Sequence, residues 1–351
     1  MTSKKTLLFI VMLLLPAFPA FGGIFSTSKC FDLLCTPQYI DKLQEDARFS
    51  ELFADTVFVA KVAAINNKCT ASKLCNLYSE IDGDKDDLSK CLFVVTHLDS
   101  LSRDVDWAGA ILSVQSELSY VLGRLVESGY SEYWDHQVFP RLKSHIDHYV
   151  VDPELLDSIH HHLLEFFSPQ TLPDTQSKIF ILDIENAFNL SDESFCCTPL
   201  ILDPEIEKQL RLSFLNIYIH EKLHNLYLSP DLISKLSELK DADSFYRQNE
   251  AVAQAYGEGK NEAFVVAAEV YVSNKIGLRS MQNVYDELSQ YVDGSLVLAP
   301  IIFAKMADRK CNETYNEFLL RLFSKGGVLE AGEIENNYRL AMNGIKSGVK
   351  E

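Results

Sequence analysis

A buried helix that carries two histidines and a glutamate within one turn is the feature that most limits what this chain can fold into. His220-Glu221-Lys222-Leu223-His224 lies in a run where Ile206, Leu210, Phe214, Leu215, Ile217, Ile219, Leu223 and Leu226 leave little polar surface. Asp203-Pro204-Glu205 opens that run as a helix, with a side-chain cap, a proline where no N–H is needed and a carboxylate at the positive end of the dipole. Pro230 closes it, after Tyr227 or Leu228. A helix apolar on nearly every side belongs in a core, where imidazoles and carboxylates are costly unless something satisfies them. A metal ion would do so.

Residues four apart stack on one helical face, so His220 and His224 reach a single ion while Glu221 leans beside it. The pattern H-E-x-x-H therefore predicts a Zn2+ site with two neutral nitrogen ligands, a third protein ligand, and one position left for water. Glu221 is read as the general base that takes the proton from that water, not as a ligand. For the third ligand, Glu262 opens a second apolar helix expected over residues 261–275. Its rivals are Glu250, in the similar run Asn249-Glu250-Ala251-Val252, and Glu269, seven residues further along the same helix.

With these residues the stretch 179–276 resembles the gluzincins, the thermolysin-like zinc metallopeptidases in which H-E-x-x-H on one helix is completed by a glutamate on another. The resemblance implies a zincin-like fold, peptide-bond hydrolysis, and Asn261-Glu262 as the pair that brings in the third ligand. It also implies an edge strand beside the active-site helix that would hold extended substrate, here at residues 199–202. A tyrosine or histidine near the developing oxyanion is implied as well, with Tyr271, Tyr285 and Tyr291 as the choices. Better-known members carry an acidic residue four positions after the ligand glutamate; this chain has Val266.

Around this centre the pattern predicts an α+β protein that is predominantly helical. Two short runs of branched apolar residues, 178–184 and 198–203, read as strands ahead of the metal-binding helix. Residues 23–172 read as a helical N-terminal region, with breaks near Pro140 and Pro153, and the polar stretch 167–177 as its boundary with a catalytic region over 173–351. Further helices are expected over 281–291, 299–305, 311–323 and 330–342.

Residues 1–22 carry Lys4 and Lys5, an apolar block from Leu7 to Leu15, and small residues up to Gly22. That is the pattern of a cleaved export signal, too short and too proline-broken for a membrane anchor. A secreted or periplasmic protein is expected, and the eight cysteines then read as disulfide partners, Cys30 with Cys35 and a pair among Cys69, Cys75 and Cys91. The net charge of −18, from 32 basic against 50 acidic residues, argues against nucleic acid and anionic membrane as partners.

Two other motifs invite a metal reading. The cluster Asp82-Gly83-Asp84-Lys85-Asp86-Asp87 lacks the full ligand pattern of a calcium loop and reads as solvated. In His160-His161-His162, consecutive helical residues point about 100° apart, so one at most is expected to serve an ion. Two functions follow from the whole: an exported zinc peptidase acting on peptide or protein substrates, or an exported zinc-binding envelope protein that keeps the fold without turnover.

Overall fold

A computed structural model describes residues 25–81, 86–103, 105, 107–149, 152–167, 178–190, 194–203, 214–256, 258–291 and 294–349. The expected export signal, most of the expected boundary segment, and Pro204 to Leu210 of the expected helix start lie outside them. So do residues 82–85 of the acidic cluster.

Four short strands make one sheet: β1 (Phe25–Ser26), β2 (Ile179–Ile181), β3 (Phe188–Asn189) and β4 (Phe195–Cys197), in the order β1-β2-β4-β3. β2 runs parallel to β1, with Phe25 opposite Ile179, and parallel to β4, with Ile179 opposite Phe195; β3 runs antiparallel to β4. Strands β2 and β4 are buried along their whole length, as central parallel strands are, which is why they read as unbroken apolar runs without alternation. Because β1 comes from the beginning of the chain, residues on both sides of the expected boundary build this sheet.

The second expected strand is corrected. Residues Pro199–Leu202 form a 3-10 helix, started by Thr198, whose hydroxyl oxygen accepts from the Leu200 N–H at 3.3 Å. A proline lacks the N–H a ladder needs and suits a first helical turn. The strand lies three residues earlier, as β4, and it is interior, so residues 199–202 offer no free edge for a substrate backbone.

Helices make up most of the rest, and the protein is α+β and predominantly helical. Those that matter below are α1 (Lys29–Cys35), α2 (Ala71–Ile81), α3 (Leu88–Thr96), α4 (Phe139–His148), α5 (Pro153–Leu163), α6 (Phe214–Leu223), α7 (Ser244–Ala255), α8 (Glu262–Lys275), α9 (Met281–Gln290), α10 (Leu298–Lys305), α11 (Tyr315–Leu322) and α12 (Ile334–Gly348). Their starts follow from side-chain caps at Ser28, Asp87, Asp152, Asp243, Ser280 and Thr314, each worth about 1 kcal/mol. Pro140 does not break its helix. A π turn over Trp134–Val138 precedes it, and Pro140 falls in the first turn of α4, where its missing N–H costs nothing.

The helix α8 explains why the centre is rigid. Phe264, Val265, Val266, Ala267, Ala268, Val270 and Val272 are all buried, so the helix is enclosed on every side, with α6 and α10 packed against it. Each large apolar side chain contributes about 1.5–3 kcal/mol by leaving water. The Tyr315 hydroxyl of α11 donates to the Phe264 carbonyl at 2.8 Å and fixes the helix lengthwise.

All eight cysteines are free thiols, seven of them buried, so the expected short-range bridges are not formed. Cys30 and Cys35 share the helix α1, where five residues turn the side chains about 140° apart. The Cys35 sulfur instead lies 3.6 Å from that of Cys75 on α2. No helix among the described residues is long and apolar enough to cross a membrane.

Candidate metal centre

His220 stands on the last turn of α6 and His224 just past its end, and both face the first residue of α8. His220 Nε2 lies 3.0 Å from His224 Nε2 and 3.3 Å from Glu262 Oε1, and His224 Nε2 lies 3.7 Å from Glu262 Oε2. Tetrahedral zinc, with bonds of about 2.0–2.1 Å, sets neighbouring donor atoms about 3.3 Å apart. The imidazole nitrogens lie near that spacing from each other and from one or the other carboxylate oxygen, and one ligand atom of each residue falls within 4.8 Å of the others, so these residues form a candidate metal-binding group of two imidazoles and one carboxylate.

The electrostatics fit the same reading. Burial alone would lower His220, but the hydrogen bond and charge of Glu262, with Glu221 and Glu269 behind, overcome it and hold the imidazolium up at about 9. His224 goes the other way, pushed down to about 4 by burial and by the positive His220. Burial would raise Glu262, yet the two histidines hold its carboxyl below the usual range. Without a metal, a single proton on His220 therefore sits between two acceptors, His224 and Glu262. The group is built to hold positive charge.

Glu221 stays outside the donor group. It is 9% exposed, and burial first, then the charge of Glu262, push its carboxyl up to about 7 against the pull of His220. Cys197, at the end of β4, lies within the field of Glu221, which places the end of the sheet beside the base.

The two rival ligands are otherwise engaged. Glu250, on α7, accepts from the Tyr246 hydroxyl at 3.3 Å and from the Gln254 amide at 2.8 Å. Glu269 is 2% exposed and holds the buried guanidinium of Arg279, with Nε to Oε1 at 3.2 Å. Its Oε1 also accepts from Asn216 at 3.2 Å and from Ser273 at 2.8 Å. Of the three carboxylates, Glu262 alone joins the histidines.

That Glu269 network is what sequence reasoning missed. Asn216 lies one turn before His220 on α6, and Glu269 lies two turns after Glu262 on α8, so their hydrogen bond ties the two ligand-bearing helices together. Arg279 extends the tie to Glu287 on α9 at 2.9 Å. An asparagine and a serine in an apolar run were the only signal, since a buried amide demands a partner. Val266, four positions after Glu262, packs in the core.

Two further groups border the centre. Glu258, ahead of α8, is raised by burial and then by Glu262. Tyr291, after α9, is raised by burial and then by glutamates that include Glu262. Of the three tyrosines singled out in sequence, Tyr271 lies under the Lys275 ammonium and Tyr285 under that of Lys346, while Tyr291 feels the ligand carboxylate. No family model, curated protein or solved structure matches this chain.

Proposed function

We propose that this chain is an exported zinc-dependent peptidase of gluzincin type. The observation that carries the reading is an unligated, buried carboxylate, Glu221, next in the chain to a His220, His224 and Glu262 group whose donor spacings suit tetrahedral zinc. Zinc held there would act as a Lewis acid on the scissile carbonyl and make a bound water acidic.

The protein's own part follows from its residues. His220 and His224 present Nε2, and Glu262 presents its carboxylate, from the ends of two rigid helices, so little reorganisation is needed when the ion enters. Glu221 takes a proton from the attacking water and returns it to the leaving amine; a carboxyl raised towards neutrality can do both near pH 7. Tyr291, whose hydroxyl is raised in part by Glu262, is the tyrosine to consider for hydrogen bonding to the developing oxyanion. Substrate is a peptide or protein, and an N-terminal signal ending near Gly22 would send the mature chain out of the cytoplasm, which N-terminal sequencing of the exported protein checks.

The test pairs metal analysis with cleavage of a peptide library. Wild type should hold one tightly bound zinc and cleave; Glu221→Gln should keep the zinc and lose about 10²- to 10⁴-fold in rate. A clean Glu221→Gln preparation that still cleaves at the wild-type rate rejects the mechanism. Stoichiometric zinc in a wild type that cleaves nothing identifies a non-catalytic zinc-binding protein.

A further inference from the structure

We infer that His161, His162 and Glu165 form a second, solvent-facing site for a divalent transition metal. The inference is independent of the buried centre, because it rests on another helix and another set of ligands.

The histidine triplet lies in the last turn of α5 and divides. His160 turns inward, its Nε2 2.9 Å from the Tyr218 hydroxyl of α6, and is spent on packing. His161 is exposed and His162 partly buried, with ring centres 5.3 Å apart. Glu165 follows just past the end of the helix, three residues from His162 and four from His161. One ligand atom from each residue falls within 4.8 Å of the others, and His162 Nδ1 is already 2.8 Å from Glu165 Oε1. Where the sequence led us to expect one histidine of the triplet at most to serve an ion, ligand atoms of two of them lie within 4.8 Å of each other and of Glu165.

Two features prepare this place for a cation. It lies at the C-terminal end of a helix, where the dipole favours positive charge. Glu165 is also held in position from behind: its backbone carbonyl accepts from Arg309, and its carboxylate contacts the Lys275 ammonium of α8 at 3.1 Å. Two imidazoles with one carboxylate select borderline ions such as Zn2+, Ni2+ or Cu2+ over Ca2+ or Mg2+. His161 is exposed, so water completes the coordination and the ion exchanges readily, in contrast to the enclosed group at His220. Lys275 competes with the ion for the same carboxylate, which gives the site a signature.

The experiment is a Zn2+ titration of the metal-stripped full chain by calorimetry. Wild type should bind two ions, one tightly and one more weakly. His161→Ala with His162→Ala should remove the weak class and leave the tight one, with unchanged circular dichroism; Glu165→Gln should weaken it about tenfold or more. Lys275→Met should tighten the weak class about two- to fivefold, since an exposed competing ion pair is lost. A weak class that survives the double substitution overturns the inference, as does a wild type that binds a single ion which the Glu262→Ala substitution abolishes.

Discussion

His220 and Glu262, on separate helices, bring Nε2 and Oε1 to 3.3 Å of one another, and that contact is the hinge of the functional reading. The two helices are locked in the core, so the distance is set by packing and not by the contact itself. Glu262→Ala should therefore leave the fold in place while lowering zinc affinity by more than about 100-fold, a larger loss than outer-shell partners give. Glu250→Ala should leave affinity unchanged, because that carboxylate is bonded to Tyr246 and Gln254. Competition with a chelating dye measures both. Zinc lost in the Glu250 variant and kept in the Glu262 variant would reverse the assignment.

The buried pair Arg279 and Glu269 makes a second prediction. Both side chains are almost wholly enclosed, with 4% and 3% exposure, so removing one partner strands a charge. Arg279→Met should cost about 3–5 kcal/mol in denaturant unfolding. Replacing Glu269 and Arg279 together by Leu and Met should cost less than Arg279→Met alone, since the only charge that then loses a partner is the partly exposed Glu287. A double variant less stable than the single one would show that the network stabilises through its hydrogen bonds to Asn216 and Ser273.

How much of this was legible in the sequence depends on range. His220, Glu221, His224 and Glu262 could be read because helical spacing and the apolar neighbours of each residue are local. The helix over 262–275 was legible as an unbroken apolar run, and that over 281–290 through its Ser280 cap and periodicity. The strand at Phe195–Cys197 was misplaced by three residues because its branched, proline-headed continuation reads equally well as strand, and only the capping bond of Thr198 decides otherwise. Nothing local joins Asn216 to Glu269, Cys35 to Cys75, or Phe25 to Ile179. These are products of tertiary packing.

Asp32 should make stability fall as pH rises. Its carboxylate is enclosed on α1, accepting from Trp134 Nε1 and from the Asp183 N–H, both at 2.7 Å. Burial outweighs those bonds and raises the group from 3.8 to about 7. The folded state thus holds the proton more tightly than the unfolded chain. The contribution is complete below about pH 4 and is lost as pH climbs through 7, with about 2–3 kcal/mol disappearing between pH 5 and pH 8. Asp32→Asn should flatten that part of the profile in parallel denaturation series. An unchanged slope in the variant would mean that the carboxylate stays ionised throughout.

Removing the metal should weaken the protein without unfolding it. The ion would bridge α6 and α8, so at free zinc about a thousandfold above its dissociation constant it adds about 4 kcal/mol to the folded state. Those helices are nevertheless joined without it, by apolar packing, by the Asn216 to Glu269 bond, and by the proton that His220 keeps among His224 and Glu262. Chelation should lower the melting temperature by several degrees while the far-ultraviolet dichroism at 25 °C stays the same, and added zinc should restore the melt. The Asn216→Leu variant removes the polar tie, so it should show lower starting stability and a larger loss of helix signal on chelation. Helix lost at 25 °C on chelating the wild type would mean that the ion, and not the packing, holds α6 against α8.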